Sequence, residues 1–436
     1  MGIGSGEMDA DVAVVGGGFA GISAARDLRE AARSVIVLEA RDRIGGRTWY
    51  RELPGAGISV EYGGMFFSRV TQPRIAAEIE RYRLPVTPMP APEVVAWVRG
   101  ASRVEGATKI ERLLDGLKAS GMSEALATTA KAFASEDRTS LADEDVSASG
   151  WIAELGADAE AADLLRAFMA AMGGAPLERI SVLPLLWDMV ELDYFDIVKA
   201  FGDVGELLTD GTKSLIDAMA DGLDIRTGSV VRRVEHDDDD VRVTLDDGGI
   251  VDARAAVIAL PLNLWRDVVF DPPLAPPKQR VAREGHPGAV SKVLAVVRDA
   301  PSSFLGMGWD TPINAAFVTK QAPEGRLFMG FSVQDRVDLA DPDSVARAVN
   351  AHLPEATVVT SDGHDWVRDP FSKGTWLATP PGWFGDGTFE VLETPQGRLA
   401  FAGSDIASEG AGWIEGAIGS GIAAAERTNV LLGSVT

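Results

Sequence analysis

The spacing of apolar residues changes period twice within the first forty positions. Ala13-Val14-Val15 is a short continuous apolar run, which predicts a strand. It meets Gly16-Gly17-Gly18. The next stretch, FAGISAARDLRE, carries its apolar residues at helical spacing. SVIVLE, residues 34–39, is again continuously apolar and predicts a second buried strand. Residues 106–180 are rich in Ala, Leu and charge at helical spacing, as in KIERLLDGLKASG and AEAADLLRAFMAAMGG, and predict a block of helices. Residues 208–234 return to helix followed by strand. VRRVEHDDDDVRVTLDDGGIVDARAAVIAL then predicts a β-meander with acidic turns, closing on the buried strand AAVIAL. Residues 288–333 predict a sheet of alternating apolar and polar positions. Near the end, FAGSDIASEGAGWIEGAIGSG, residues 401–421, predicts a small-residue loop running through Trp413 into a helix. There is no internal repeat and no long low-complexity linker.

The first strand–turn–helix–strand unit has a chemical meaning. Gly16, Gly18 and Gly21 stand in the GxGxxG spacing, in the context that gives that weak pattern its force. Gly16 permits the tight turn, Gly18 lets the backbone approach a pyrophosphate, and Gly21 lets helix and strand pack closely. Glu39 ends the second strand, where its carboxylate can accept hydrogen bonds from an adenosine ribose. An acid there disfavours a 2′-phosphate. The chain then departs from a plain nicotinamide-binding unit. Arg47, flanked by glycines in RDRIGGRT, suits a diphosphate, and Gly63-Gly64 in VEYGGMFF would let a flat ring lie against the backbone. Taken singly, each pattern is also what an ordinary loop looks like. Their order after the dinucleotide unit is the specific signal.

Composition narrows the classes. A chain of 436 residues, 46% hydrophobic and 24% charged, has the make-up of a soluble globular protein of two domains. A net charge of −24 argues against nucleic acid or an anionic membrane as partner. No run reaches membrane-spanning length, and the polar start MGIGSGEMDA does not resemble a signal peptide, so the expected location is cytoplasmic. With no cysteine, the chain has no disulfide, no thiolate metal site and no thioether-linked cofactor. The four His, at 236, 286, 352 and 364, are not spaced as metal ligands, and the Asp run at 237–240 predicts a solvated hairpin turn. No metal is expected. Lys292 stands out inside the apolar run AVSKVLAVV, because a buried Lys needs a partner or a task.

Taken together, VVGGGFAG, VLEARDRIGGRT, VEYGGMFF, DGTKSL, SKVLAVV, TWLATPPG and FAGSDIASEGAGWIEGAIGSG resemble the flavin-dependent amine oxidase (monoamine oxidase) family, in the family's order and over nearly the whole chain. WRDVVFDPPL and REGHPGAVSKVLAVVR are most similar to the bacterial 6-hydroxy-L-nicotine oxidase branch. The resemblance implies an α/β fold in which a Rossmann-type FAD-binding domain of the amine-oxidase type (8–80, 205–287 and 395–436) is interleaved with an α+β substrate-binding domain (81–204 and 288–394).

It also implies non-covalent FAD. Gly16, Gly18 and Gly21 would face the pyrophosphate and Glu39 the ribose, while Arg41, Gly46 and Arg47 would line the diphosphate and ribityl path. Val231 would pair its backbone with the adenine, Asp405 would bind near the ribityl diphosphate, and the Ile414 amide would point at the flavin N1–O2 edge. Phe19, Ala20, Ala40, Gly63, Gly64, Met65, Phe66, Gly403, Ser404, Gly412, Trp413 and Ala417 complete the implied cofactor set. Trp376 and Trp413 map to the two walls of the family's aromatic cage. Tyr is common in relatives at these places, so a Trp pair is a departure. Thr375 stands where covalent relatives carry the flavin-linking Cys. Lys292 matches a Lys that assists reaction with oxygen. Ala171 stands where the hydroxynicotine branch has a substrate-holding Asn, which puts nicotine itself in doubt.

The expected activity is transfer of a hydride from the α-carbon of a neutral amine to flavin N5, with O2 as acceptor and hydrogen peroxide as product. The expected donor is a cyclic secondary or aralkyl amine, with a nicotine-like alkaloid among the options. A flavin desaturase or dehydrogenase acting on C–C bonds, or one using another acceptor, would share the dinucleotide motifs but would not need the Trp pair. A non-catalytic flavoprotein would keep FAD as a structural plug. Homodimers are common among relatives, and the sequence does not decide the oligomeric state.

Overall fold

The computed structural model describes residues 8–134, 142–191, 205–333, 336–384 and 387–433. The polar start at 1–7 and part of the predicted substrate-binding segment, at 135–141 and 192–204, lie outside the described residues. Two large sheets organise the chain. The first has eight strands. Its centre is parallel: Asp224–Arg226, Val35–Leu38, Ala10–Val15, Ile250–Ile258 and Leu399–Phe401 lie side by side. Val12 pairs with Val35 on one side and Ala255 on the other. The long strand Ile250–Ile258 continues into the antiparallel pairs with Val241–Leu245 and Val231–His236. The Asp237–Asp240 turn links those last two, as predicted.

The continuous apolar runs follow from burial on both faces. Val12, Val14 and Val37 pack with Ile22, Ala25 and Leu28 of the helix Phe19–Glu30 and with Ile418 and Ala424 of the helix Ile414–Leu432. Ala13, Val15, Ile36 and Leu38 face the opposite way, into a core with Trp265 and Phe401. Where these two helices cross, a Cβ on Gly421 would sit 2.3 Å from the Ala20 carbonyl oxygen, and where the first helix leaves its turn, one on Gly21 would sit 1.9 Å from the Gly16 carbonyl oxygen. Here glycine is required by packing.

The second sheet has seven strands, in the order Thr357–Asp362, Val290–Arg298, Gly325–Val333, Ala315–Ala322, Phe304–Trp309, Val94–Arg99 and Ser102–Glu105. All its pairs are antiparallel except Phe304–Trp309 with Val94–Arg99. The predicted alternation over 288–333 is not what is found. Val290–Arg298 is buried at every position but the last. The reason is a helix layer on each face. Leu294 and Val296 pack with the helix Ala159–Gly173 on one side, and Val293, Ala295 and Val297 with the helix Pro342–His352 on the other. The predicted helical block at 106–180 resolves into Ala107–Leu117, Ser123–Ala134, Ala148–Glu154 and Ala159–Gly173. Among the described residues no helix is long and apolar enough to cross a membrane.

Candidate active site

A cavity of ≈1430 Å³ runs from the carboxyl end of the parallel sheet to the second sheet and its helix layer. This exceeds the roughly 300–1,000 Å³ of an ordinary small-molecule pocket and leaves room for a dinucleotide and a second ligand. Every residue predicted for the cofactor or the amine borders it except Gly21 and Asp405. Gly21 instead lets its helix approach the turn at Gly16. Asp405 is buried behind the wall: its Oδ1 lies 2.8 Å from the Arg47 guanidinium and its Oδ2 accepts the Leu262 N–H at 3.0 Å. Burial alone would raise the Asp405 carboxyl. Arg47 outweighs it and holds the group below the usual carboxylate range.

At the sheet end, the residues fit an FAD adenylate and diphosphate. Gly18 precedes the helix Phe19–Glu30 with no side chain capping it, so the first amides of that helix point at the cavity wall. Glu39 accepts the Gly17 N–H at 2.7 Å and the Arg41 N–H at 2.8 Å, which fixes its carboxylate at the end of the second strand. Arg47 donates to the Thr375 carbonyl at 2.6 Å and to Ser404 Oγ at 2.9 Å, tying the 47, 375 and 404 segments together. Arg41 borders the cavity but its guanidinium is committed elsewhere, to Asp369 at 2.6 Å and Ser372 at 2.8 Å. The two glycines of VEYGG also divide their work. A Cβ on Gly63 would come 2.0 Å from the Arg47 carbonyl oxygen, so Gly63 serves chain packing, whereas Gly64 has room on its cavity side.

At the second sheet, Lys292 is buried, with its ammonium 2.9 Å from the Gly63 carbonyl oxygen and 2.9 Å from Met65 Sδ. Burial pushes its pKa down, and the nearby Glu61 carboxylate only partly restores it. Glu61 is itself pushed up by burial, against hydrogen bonds from the Thr212 N–H at 2.5 Å and hydroxyl at 3.1 Å. Trp376 is fixed by its indole N–H to the Met172 carbonyl at 2.8 Å and stands edge-on to Phe331, with ring centroids 6.2 Å apart. Trp413 immediately precedes the helix Ile414–Leu432. Ala171 borders the cavity beside Met172, so the position lacking the polar handle does face the ligand space.

Three groups here escaped the sequence reading. Glu61 is an acid in a three-residue strand directly before the glycine pair, and a charge in VEYGG was a usable signal. Glu415 is buried and accepts the N–H groups of Arg74 at 3.1 Å and Ile75 at 2.9 Å, capping the helix Pro73–Tyr82 from across the fold. No local pattern could reveal that partner. His286 is fully buried behind Arg47 and Asp405 and is pushed down to about 4 by burial, despite Asp405. Among the described residues no group of three His, Asp or Glu side chains could hold a metal ion.

The fold and the dinucleotide cradle fit a flavoprotein oxidoreductase. Residues 19–429 match the family described as flavin containing amine oxidoreductase, and the chain belongs to it. It is 32% identical to the (S)-6-hydroxynicotine oxidase of Paenarthrobacter nicotinovorans, over 94% of this chain and 96% of that one. It is also 32% identical to a pseudooxynicotine dehydrogenase of Pseudomonas sp, over 95% of this chain and 85% of the relative. The cyclohexylamine oxidase of Brevibacterium oxydans IH-35A shares the fold, with a TM-score of 0.82 at 23% identity over 96% of this chain and 98% of that one. The chain is therefore a flavin-dependent oxidoreductase acting on amine donors, with FAD as its cofactor. With no cysteine available, no thioether holds the FAD, in keeping with the non-covalent binding expected.

Proposed function

We propose that the chain oxidises the C–N bond of a cyclic secondary or aralkyl amine, giving an imine, and returns the electrons to O2 as hydrogen peroxide. FAD, when bound, supplies the two-electron acceptor for the hydride leaving the amine α-carbon. The single observation that carries the reading is the convergence of Lys292, Trp376, Trp413 and the dinucleotide cradle on one cavity.

The side chains supply orientation and exclusion of water. Trp376, locked by Met172 and Phe331, and Trp413 are the walls between which the amine lies. Phe168, Met172, Phe317 and Phe331 make the rest of that end apolar. An apolar enclosure favours the neutral amine, whose lone pair assists departure of the hydride. The helix start at Ile414 offers unpaired amides to negative charge. Lys292, with its proton loosened by burial, holds or gives up a proton next to the site where O2 reacts. The loss of a polar side chain at Ala171 favours a donor held by shape over one held by a hydrogen bond at that place.

A second reading keeps the amine but replaces O2 with another electron acceptor. It is favoured by the relative that is a pseudooxynicotine dehydrogenase at 32% identity. The test is stoichiometry in air with an amine that turns over. One O2 consumed and one peroxide formed per imine supports the oxidase. Turnover that needs an added dye or protein acceptor, with no peroxide, replaces it with the dehydrogenase.

A further inference from the structure

The helix Val182–Glu191 presents one face to the cavity. Pro184, Leu185, Trp187, Asp188 and Glu191 border it, with Ser181 just before the helix, a broad stripe at three- and four-residue spacing. The start of this helix is anchored beside the Trp376 segment. The Ser181 N–H donates to the Thr379 carbonyl at 2.8 Å, and Ile180 and Leu185 close over Gly173, next to Met172. From Val182 to Asp188 the helix rises about 9 Å. Asp188 therefore stands on the cavity wall nearly two helical turns from that anchor.

The carboxylate has no counter-charge among the described residues. Among the described residues no Lys, Arg or His forms an ion pair with Asp188, and no donor hydrogen-bonds it. Its neighbours on the helix are apolar, in VLPLLWDMVE, except Glu191, whose charge opposes it further. Burial, with that repulsion added, pushes the Asp188 carboxyl up to about 7. An acid kept unpaired on an otherwise apolar wall is unfavourable to the empty protein, and a cation delivered by a ligand would relieve it.

We propose that Asp188 binds a second, protonated nitrogen of the substrate, so that the preferred donors are amines carrying another basic centre at the far end of the molecule. This rests on the amine-oxidation reading and narrows its substrate class. The nitrogen that reacts is neutral and sits between the tryptophans. The distal nitrogen is cationic and pairs with the Asp188 carboxylate, a charge-assisted contact in an enclosed site.

The test compares linear α,ω-diamines of six to ten carbons with the n-alkylamines of the same length, in wild type and in Asp188→Asn. Wild type is expected to prefer the diamine in kcat/KM by about ten- to a hundredfold, the value of one charge-assisted hydrogen bond. Asp188→Asn is expected to abolish that preference while leaving the alkylamine within about threefold. A preference unchanged in Asp188→Asn, or the same loss for both series, overturns the proposal. Anaerobic calorimetric titration of the same diamines separates the two levels. If no amine is oxidised, the amine-oxidation reading falls, and the binding isotherms still decide Asp188: tighter diamine binding lost in the variant supports it, and equal binding overturns it.

Discussion

The two sheets meet the cavity with different parts of the chain. The parallel sheet offers backbone: the amides after Gly18, the bend at Gly16 and carboxylates held in place by main-chain N–H groups. The second sheet, its helices and the loop at Trp376 offer side chains: Lys292, Phe331, Trp376 and Asp188. A dinucleotide brings the same pyrophosphate and ribose to every protein that binds it, so its cradle can be made of main chain and needs small residues at fixed spacing. A substrate differs from enzyme to enzyme, so its end must be made of side chains that can vary. The contrast predicts that the first half fails when atoms are added, and the second when groups are removed.

The largest effect should come from adding one carbon. Gly21→Ala puts a Cβ 1.9 Å from the Gly16 carbonyl oxygen, and Gly63→Ala puts one 2.0 Å from that of Arg47. Each should cost several kcal/mol and yield protein with little or no flavin, read from the ratio of visible to ultraviolet absorbance. Next in size, Lys292→Met should slow aerobic reoxidation about 10²-fold while leaving anaerobic reduction by the amine unchanged in stopped flow. Equal reoxidation rates would remove Lys292 from the chemistry.

A pH effect of about 2 kcal/mol per residue should follow, and it crosses both halves. His286 beside Asp405 and His352 at the end of the helix Pro342–His352 are each buried and held down to about 4. The unfolded chain titrates its His near about 6.5, so between those values it binds protons that the folded chain refuses. Stability is therefore lost as pH falls from about 6.5 towards 4. Urea unfolding at pH 7 and pH 5 checks this, and His352→Gln should flatten part of the difference. The smallest effect belongs to Trp376→Phe, which keeps an aromatic wall but loses the bond to the Met172 carbonyl. A rise in KM of about fivefold with kcat little changed is expected.

The same contrast governs what could be read before any coordinates. The cradle was legible because Gly16, Gly18, Gly21 and Glu39 lie within a single continuous unit of the chain. Its tertiary supports were not: Arg41 is taken by Asp369, and Asp405 pairs with Arg47, across more than 300 residues. Lys292 was legible as a charge in an apolar strand. Its partner Glu61 comes from another strand more than 200 residues away, and only the fold brings the two together. The alternation expected over 288–333 failed because it assumed one solvated face, and the helix Pro342–His352 covers that face. Asp188 carried the same signal as Lys292, a lone charge among apolar residues, but only its place on the cavity wall gives the charge a use.

The central claim is that an amine reduces FAD within this cavity. Its most direct measurement is the visible flavin absorbance of the purified protein as single amines are added without oxygen. The account predicts that a cyclic secondary amine, an aralkyl amine or a diamine bleaches the flavin band, and that air restores it with release of hydrogen peroxide. A yellow protein that no amine bleaches would contradict it.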